Sequence, residues 1–205
     1  MLEIILMEYK IVDNNDYNST GFDDIYPIIY DKENDKFVNS KTNEKIKFDL
    51  EKFVDYYTDF HIEEAKLMKG NLKYYSNRDV MKGVCRHILS NIIPGYHYET
   101  YFILDNDTIK GFIRMKSFKS KSEDMVSISE LYIVPQYRNH GLAMSLLNFA
   151  KKYAIENGIS SIKLAVQKGN SNAIKLYKKF GFVIIEKIVK PIGSQEQLFL
   201  YQLQQ

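Results

Sequence analysis

Val134-Pro135-Gln136-Tyr137-Arg138-Asn139-His140-Gly141-Leu142-Ala143 is the stretch on which the reading of this chain turns. In front of it, Val126 to Val134 is nearly continuous in β-forming residues, as in a strand buried on both faces. Pro135 ends that strand, because proline cannot donate to a sheet ladder. Behind it, Leu142, Leu146, Phe149, Ala150 and Tyr153 recur at helical spacing until Gly158 stops the helix. The quoted residues therefore form a tight turn at a helix N-terminus, where unsatisfied backbone N–H groups and the helix dipole point at the same place and favour an anion. Gly141 lets the backbone approach such an anion closely, Ala143 is nearly as small, and Ser145 offers a hydroxyl. An ordinary strand-to-helix loop containing a glycine is the competing reading of the turn alone.

Working outward, His97 to Leu104 reads as a strand, Asp105-Asn106-Asp107 as a turn, and Ile109 to Lys116 as the hairpin partner. Lys119 to Asp124 is a polar loop. After the helix, Ile162 to Val166 is a short strand and Lys168-Gly169-Asn170 a turn. Ser171 or Asn172 caps a second helix whose apolar face carries Ile174, Tyr177 and Phe180, and which Gly181 stops. Phe182 to Val189 and Gln197 to Leu203 are two further strands around Pro191-Ile192-Gly193. The order β-β-β-α-β-α-β-β is a mixed α/β (α+β) arrangement.

The first half is less regular. Leu2 to Val12 reads as a strand, Ile25 to Tyr30 and Lys36 to Val38 as a hairpin, and Leu50 to Lys69 and Asn77 to Ser90 as helices, the latter weakened by Gly83. No repeat and no Pro/Gly/Ser-rich linker separates the halves, so residues 1–205 are expected to form a single elaborated domain.

Two segments in order resemble the GNAT superfamily of acyl-CoA N-acyltransferases. Arg138-Asn139-His140-Gly141-Leu142-Ala143 matches that family's Arg/Gln-x-x-Gly-x-Gly/Ala turn after a strand ending in Val-Pro. Asn172-Ala173-Ile174-Lys175-Leu176-Tyr177-Lys178-Lys179-Phe180-Gly181-Phe182 resembles its Asn…Ala…Tyr…Gly-Phe helix. The resemblance covers roughly residues 97–203. It implies a mostly antiparallel central sheet flanked by helices, with residues 97–203 as the acetyl-CoA-binding core and residues 1–96 as an elaborated part on the acceptor side.

The resemblance also implies roles. Arg138, Asn139, His140, Gly141, Leu142, Ala143, Met144 and Ser145 would cradle the pyrophosphate of acetyl-CoA. The pantetheine arm would lie where the strand Val126 to Val134 splays from Ile162 to Val166, pairing with backbone groups near Leu131, Ile133 and Val134. The Leu131 N–H would meet the thioester oxygen. Asn172 would face the cofactor arm, and Tyr177 would donate to the departing thiolate; a plain core aromatic is the competing reading of Tyr177. Glu130 is the first candidate for general base, although strand alternation equally lets it orient the strand or join an ion pair; Ser127 or Ser129 could relay a proton instead. Ribosomal-protein Nα-acetyltransferases of the superfamily carry a carboxylate where this chain has Ala165, which argues against that subgroup.

The expected function is thus transfer of acetyl from acetyl-CoA to a primary amine by direct attack in a ternary complex, with a small-molecule amine as acceptor. A protein or peptide amine acceptor and a non-catalytic coenzyme-A-binding module are the alternatives. An acetyltransferase acting on charged tRNA is weaker; it would need a basic groove from Lys66, Lys69, Lys73, Arg78 and Lys82.

Composition bounds the rest. The chain has 205 residues, 28 basic against 26 acidic, and 14% aromatic. Bulk disorder and a strongly basic nucleic-acid or membrane-surface protein are disfavoured. MLEIILMEYK is too short and wrongly charged for a signal peptide, and no apolar run spans a bilayer, so a soluble cytoplasmic protein is expected. His61, His87, His97 and His140 lack ligand spacing, so no metal is expected. Cys85 reads as a core residue. Homodimerisation is left open. Of four arginines, Arg78, Arg86 and Arg114 read as solvated charges, and Arg138 alone as functional.

Overall fold

The computed structural model describes residues 25–26, 28–31, 36–39, 45–46, 48–67, 77–90, 99–105, 108–119, 124–189 and 195–202. The expected strand at Leu2 to Val12 and the turn at Pro191-Ile192-Gly193 lie outside them. The elements run β1 (Ile25–Tyr26), β2 (Ile28–Asp31), β3 (Lys36–Asn39), β4 (Lys45–Ile46), α1 (Leu50–Leu67), α2 (Arg78–Ser90), β5 (Glu99–Asp105), β6 (Thr108–Lys119) and β7 (Asp124–Ile133). A 3₁₀ turn (Pro135–Tyr137) then leads into α3 (Leu142–Glu156), β8 (Ser161–Gln167), α4 (Ser171–Phe180), β9 (Val183–Val189) and β10 (Gln195–Gln202).

Seven strands make the main sheet in the order β1-β5-β6-β7-β8-β10-β9, and β2-β3-β4 form a smaller antiparallel sheet. Every pairing in the main sheet is antiparallel except β7 with β8. The expected hairpin before residue 40 divides into two strands with different partners. Ile25–Tyr26 pairs with Ile103 and Phe102 of β5, whereas Ile28–Asp31 pairs with β3. The loop expected at Lys119 to Asp124 is shorter than its sequence implied, because β6 and β7 stay paired out to Lys119 and Asp124.

The core has two aromatic halves. On one face, α1 lays Phe53 edge-on against Phe102 (4.9 Å) and Phe112 (5.3 Å). On the other, Phe149 of α3 meets Tyr101 of β5 at 4.6 Å. Such tilted pairs satisfy the ring quadrupoles while removing large apolar surfaces from water. Cys85 is fully buried in this core.

β7 departs from the expectation of a strand buried on both faces. A register irregularity lies between Arg114 and Met115 of β6, opposite Glu130 and Ile128, and Ser129 of β7 is exposed. An extra residue bends a strand and increases its local twist. Below the bulge β7 pairs with β8 (Val126 with Ile162, Ser127 with Lys163, Ile128 with Leu164); above it the pairing stops. The base is pinned, since Asp124 accepts from the Ser160 N–H (3.1 Å) and its carbonyl accepts from the Ser161 hydroxyl (2.9 Å). The sheet is therefore closed at Asp124 and split from Ser129 to Ile133.

Candidate active site

Antiparallel register decides which backbone groups of β7 face the split. The Val134 N–H donates to the Lys110 carbonyl at 2.9 Å, so this is a hydrogen-bonded position of the ladder. Hydrogen-bonded and non-bonded pairs alternate. With Ile133 opposite Gly111 and Leu131 opposite Ile113, the polar backbone groups of Ile133 and Leu131 point away from β6, into the split. Of the three residues expected to pair with a cofactor arm, Leu131 and Ile133 are thus aimed at the split, whereas the Val134 N–H is committed to β6.

The chain then turns sharply. Tyr137 N–H donates to Val134 and Arg138 N–H to Pro135, closing the 3₁₀ turn, and Lys110 sits over the Tyr137 ring at 3.8 Å. Asn139 (φ 67°) and Gly141 (φ 82°) both adopt left-handed backbone conformations. Only small or locally hydrogen-bonding residues tolerate that region, which accounts for Asn and Gly at these positions. Gly141 is the N-cap of α3, no side chain caps this helix, and Ser145 N–H makes the first bond back to the Gly141 carbonyl. The first-turn N–H groups thus have no intrahelical acceptor, and Asn139, His140 and Gly141 are exposed. Donors and dipole converge on an accessible corner, which suits a phosphate.

α4 is capped by Asn170, whose side chain accepts from the Ala173 N–H at 3.1 Å. Ser171 or Asn172 was the expected cap. The Asn170 N–H bond to the Gln167 carbonyl (2.8 Å) puts Asn170 one residue earlier, in the half-helical position a cap requires. Asn172 is exposed in the first turn, whereas Tyr177 is buried, its ring 5.7 Å from Phe182. Burial, reinforced by the negative charge of Glu64, holds the Tyr177 phenol above its ordinary value. It therefore remains a proton donor across the physiological range.

Glu130 lies on the α1 side of β7, 13% exposed, within a chain of polar groups. Arg114 donates to the Tyr57 hydroxyl (2.5 Å), Tyr57 donates to Glu130 Oε1 (3.2 Å), the Arg114 guanidinium is 3.6 Å from the same oxygen, and the Ser129 hydroxyl donates to Glu130 Oε2. Arg114 is 7% exposed, so its reading as a solvated charge was wrong; it balances a carboxylate that the sheet would otherwise bury alone. Burial and the neighbouring Glu130 charge push the Tyr57 phenol up. His61, one turn further along α1, packs edge-on to Tyr57 at 4.6 Å; burial and Arg114 lower its imidazole to about 4.

The Arg138 side chain, although partly exposed, is held by neighbouring groups. Its Nε donates to the Ile133 carbonyl (2.9 Å), its Nη2 donates to both carboxylate oxygens of Glu63 on α1 (2.9 Å each), and the guanidinium lies 5.3 Å from the Tyr132 ring centroid. Sequence reasoning did not single out Glu63, and it assigned none of Tyr57, His61 and Arg114 to this network. A scarce arginine in a strand facing a carboxylate in the next strand was the one available signal. Arg78 and Lys82, two residues of the suspected basic groove, pair with Asp55 and Asp59, and with Asp55 and Glu51. No His/Cys/Asp/Glu group that could hold a metal occurs among the described residues, and no described helix is long and apolar enough to cross a membrane.

The sequence profile of the acetyltransferase (GNAT) family matches residues 75–182, from just before α2 to the end of the α4 motif. The chain belongs to this family. Over 61 residues, 30% of the chain, it is 38% identical to the streptothricin acetyltransferase of Escherichia coli, 35% of which is covered. Over 134 residues it is 25% identical to the mycothiol acetyltransferase of Corynebacterium glutamicum, covering 62% of this chain and 44% of that one. The chain thus spans less than half the length of these curated relatives. In fold, it is similar to a GNAT-family acetyltransferase from Streptococcus pneumoniae (TM-score 0.51, 20% identity, 77% of this chain and 98% of that one). The split between β7 and β8 and the uncapped turn at Gly141 are the features of this GNAT chain that suit acetyl-CoA, the first an extended arm and the second a phosphate.

Proposed function

We propose that the protein transfers the acetyl group of acetyl-CoA to a primary amine of a small molecule, by direct attack within a ternary complex. The observation that carries this reading is the coincidence of an exposed, uncapped helix N-terminus with a split sheet whose edge presents the backbone groups of Leu131 and the N–H of Ile133. Residues 139–144 hold the pyrophosphate through backbone N–H groups, and the Leu131 N–H donates to the thioester oxygen as it gains charge. Asn172 faces the cofactor arm. Tyr177, kept protonated by burial, donates to the departing thiolate.

Ser129 and Glu130 receive the amine proton. Ser129 is exposed and its hydroxyl already donates to Glu130, so the amine proton passes to Ser129 Oγ as the Ser129 proton passes to Glu130 Oε2. The similarity to a streptothricin acetyltransferase supports a small-molecule acceptor. Ala165, where ribosomal-protein Nα-acetyltransferases carry a carboxylate, argues against that one subgroup of protein acceptors. Residues before β5, including α1, form the acceptor side.

The test is release of free thiol from acetyl-CoA over a panel of small amines. Amine-dependent release is expected, with kcat reduced roughly 100-fold in Tyr177→Phe and acetyl-CoA affinity retained. Thermal stabilisation by acetyl-CoA without turnover on any amine would replace the proposal with a non-catalytic binding module, and no stabilisation at all would overturn it.

A further inference from the structure

The family's sequence signature begins at Arg138, yet the geometry gives its side chain a different employment from phosphate binding. Its Nε is spent on the Ile133 carbonyl, one of the groups that faces the split, and its Nη2 is spent on both oxygens of Glu63. A fork held at a carbonyl, a carboxylate and an aromatic face is fixed in position, whereas a lysine would lack the planar geometry to make the same contacts.

The anchor sits where the backbone needs one. Asn139, directly after Arg138, carries φ 67°, a left-handed conformation that depends on its surroundings to hold it. On its C-terminal side α3 supplies the hold. On its N-terminal side the hold is Arg138, and Arg138 is tied to α1.

α1 grips β7 at two places, Tyr57 at Glu130 and Glu63 at the Arg138–Ile133 corner. Six helical residues rise about 9 Å and three strand residues about 10 Å. The C-terminal half of α1 is therefore matched in length to the part of β7 that has lost its pairing with β8. The helix braces the split strand at both ends.

We infer that Glu63 is a positioning residue for the cosubstrate turn: it fixes residues 138–141 against α1 through Arg138, and the guanidinium is not itself a phosphate ligand. This rests on the proposed acetyl-CoA-dependent function. It makes α1, the acceptor-side helix, and the cosubstrate turn one mechanical unit.

The test is calorimetric titration of coenzyme A into the wild-type chain, Glu63→Gln, Arg138→Gln and the double variant, with urea midpoints to verify folding. Both side chains are about 40% exposed (39% and 42%), so all variants should fold. Each single variant should weaken coenzyme A about three- to tenfold, the double variant no more than either single one. In turnover the loss should appear in KM for acetyl-CoA. Unchanged or tighter binding by Glu63→Gln, alongside a large loss in Arg138→Gln, would overturn the inference and make the guanidinium a phosphate ligand released by the neutralised partner. Wild-type chain that binds no coenzyme A would instead sink the proposed function, and the inference with it.

Discussion

Replacing Arg114 by methionine removes the cation but keeps much of the side chain's length, and leaves Glu130 facing the underside of α1. At 3.6 Å and an effective dielectric of about 20, the direct attraction between the two groups is about 5 kcal/mol before desolvation is subtracted. Deleting one partner of a buried pair costs about 3–5 kcal/mol, because the remaining charge is left uncompensated. Glu130 keeps its bonds from Tyr57 and Ser129, and its side chain is 13% exposed, so the lower end applies. The expected loss is about 3 kcal/mol, or about 6–12 °C in Tm for a chain of this size. Arg114→Met/Glu130→Met removes both charges and should recover most of it, ending within about 1 kcal/mol of the wild type. Urea unfolding of the four proteins measures this coupling directly. A loss below 1 kcal/mol in Arg114→Met, or a double variant no more stable than it, would refute the reading of Arg114 as the counter-charge of a buried carboxylate.

His61 predicts a pH dependence: below about 6.5 an unfolded histidine takes up a proton that the folded one, lowered to about 4, does not. Stability is then full above pH 6.5 and falls by about 3 kcal/mol as pH drops to 4, and His61→Leu should flatten this segment; parallel profiles would count against it. Gly111→Ala would place a Cβ 2.7 Å from the Tyr132 carbonyl and 2.6 Å from Ile133 Cδ1, at the strand beside the split, and should cost about 1–3 kcal/mol in urea unfolding; an unchanged midpoint would show that β7 shifts freely. Asn170→Ala removes the cap of α4 and should cost about 1 kcal/mol, read the same way, while Asn170→Ser should retain most of it.

Both motif helices and the turn between β7 and α3 were legible in the sequence because their determinants are local. Pro135 ends a strand, Gly141 and Gly181 take left-handed conformations, and Leu142, Leu146, Phe149 and Ala150 follow a helical period within fifteen residues. The polar network under α1 was not legible, because its partners are distant. Tyr57 meets Glu130 across 73 residues, and Glu63 meets Arg138 across 75. Nothing in the local pattern of α1 distinguishes those side chains from other helix residues.

Arg114 was misread for a related reason. A lone arginine in a strand looks solvated until the register puts it opposite Glu130 and α1 covers both. The bulge at Ser129 was equally silent, since nothing in the local pattern of β7 marks where its register against β6 shifts. Asn170 was passed over as a cap because three neighbouring residues can each play that part, and only the turn geometry selects among them.

The central claim is that acetyl-CoA lies in the split above Ser129 with its phosphates at the α3 N-terminus. Titration of coenzyme A into ¹⁵N-labelled protein, followed amide by amide, tests it most directly. The account predicts saturable shifts that are largest at Asn139 to Met144 and at Leu131 and Ile133, with β1 and α2 unaffected. Saturation that leaves the amides of residues 139–144 unmoved, or that shifts another face of the sheet, would contradict it.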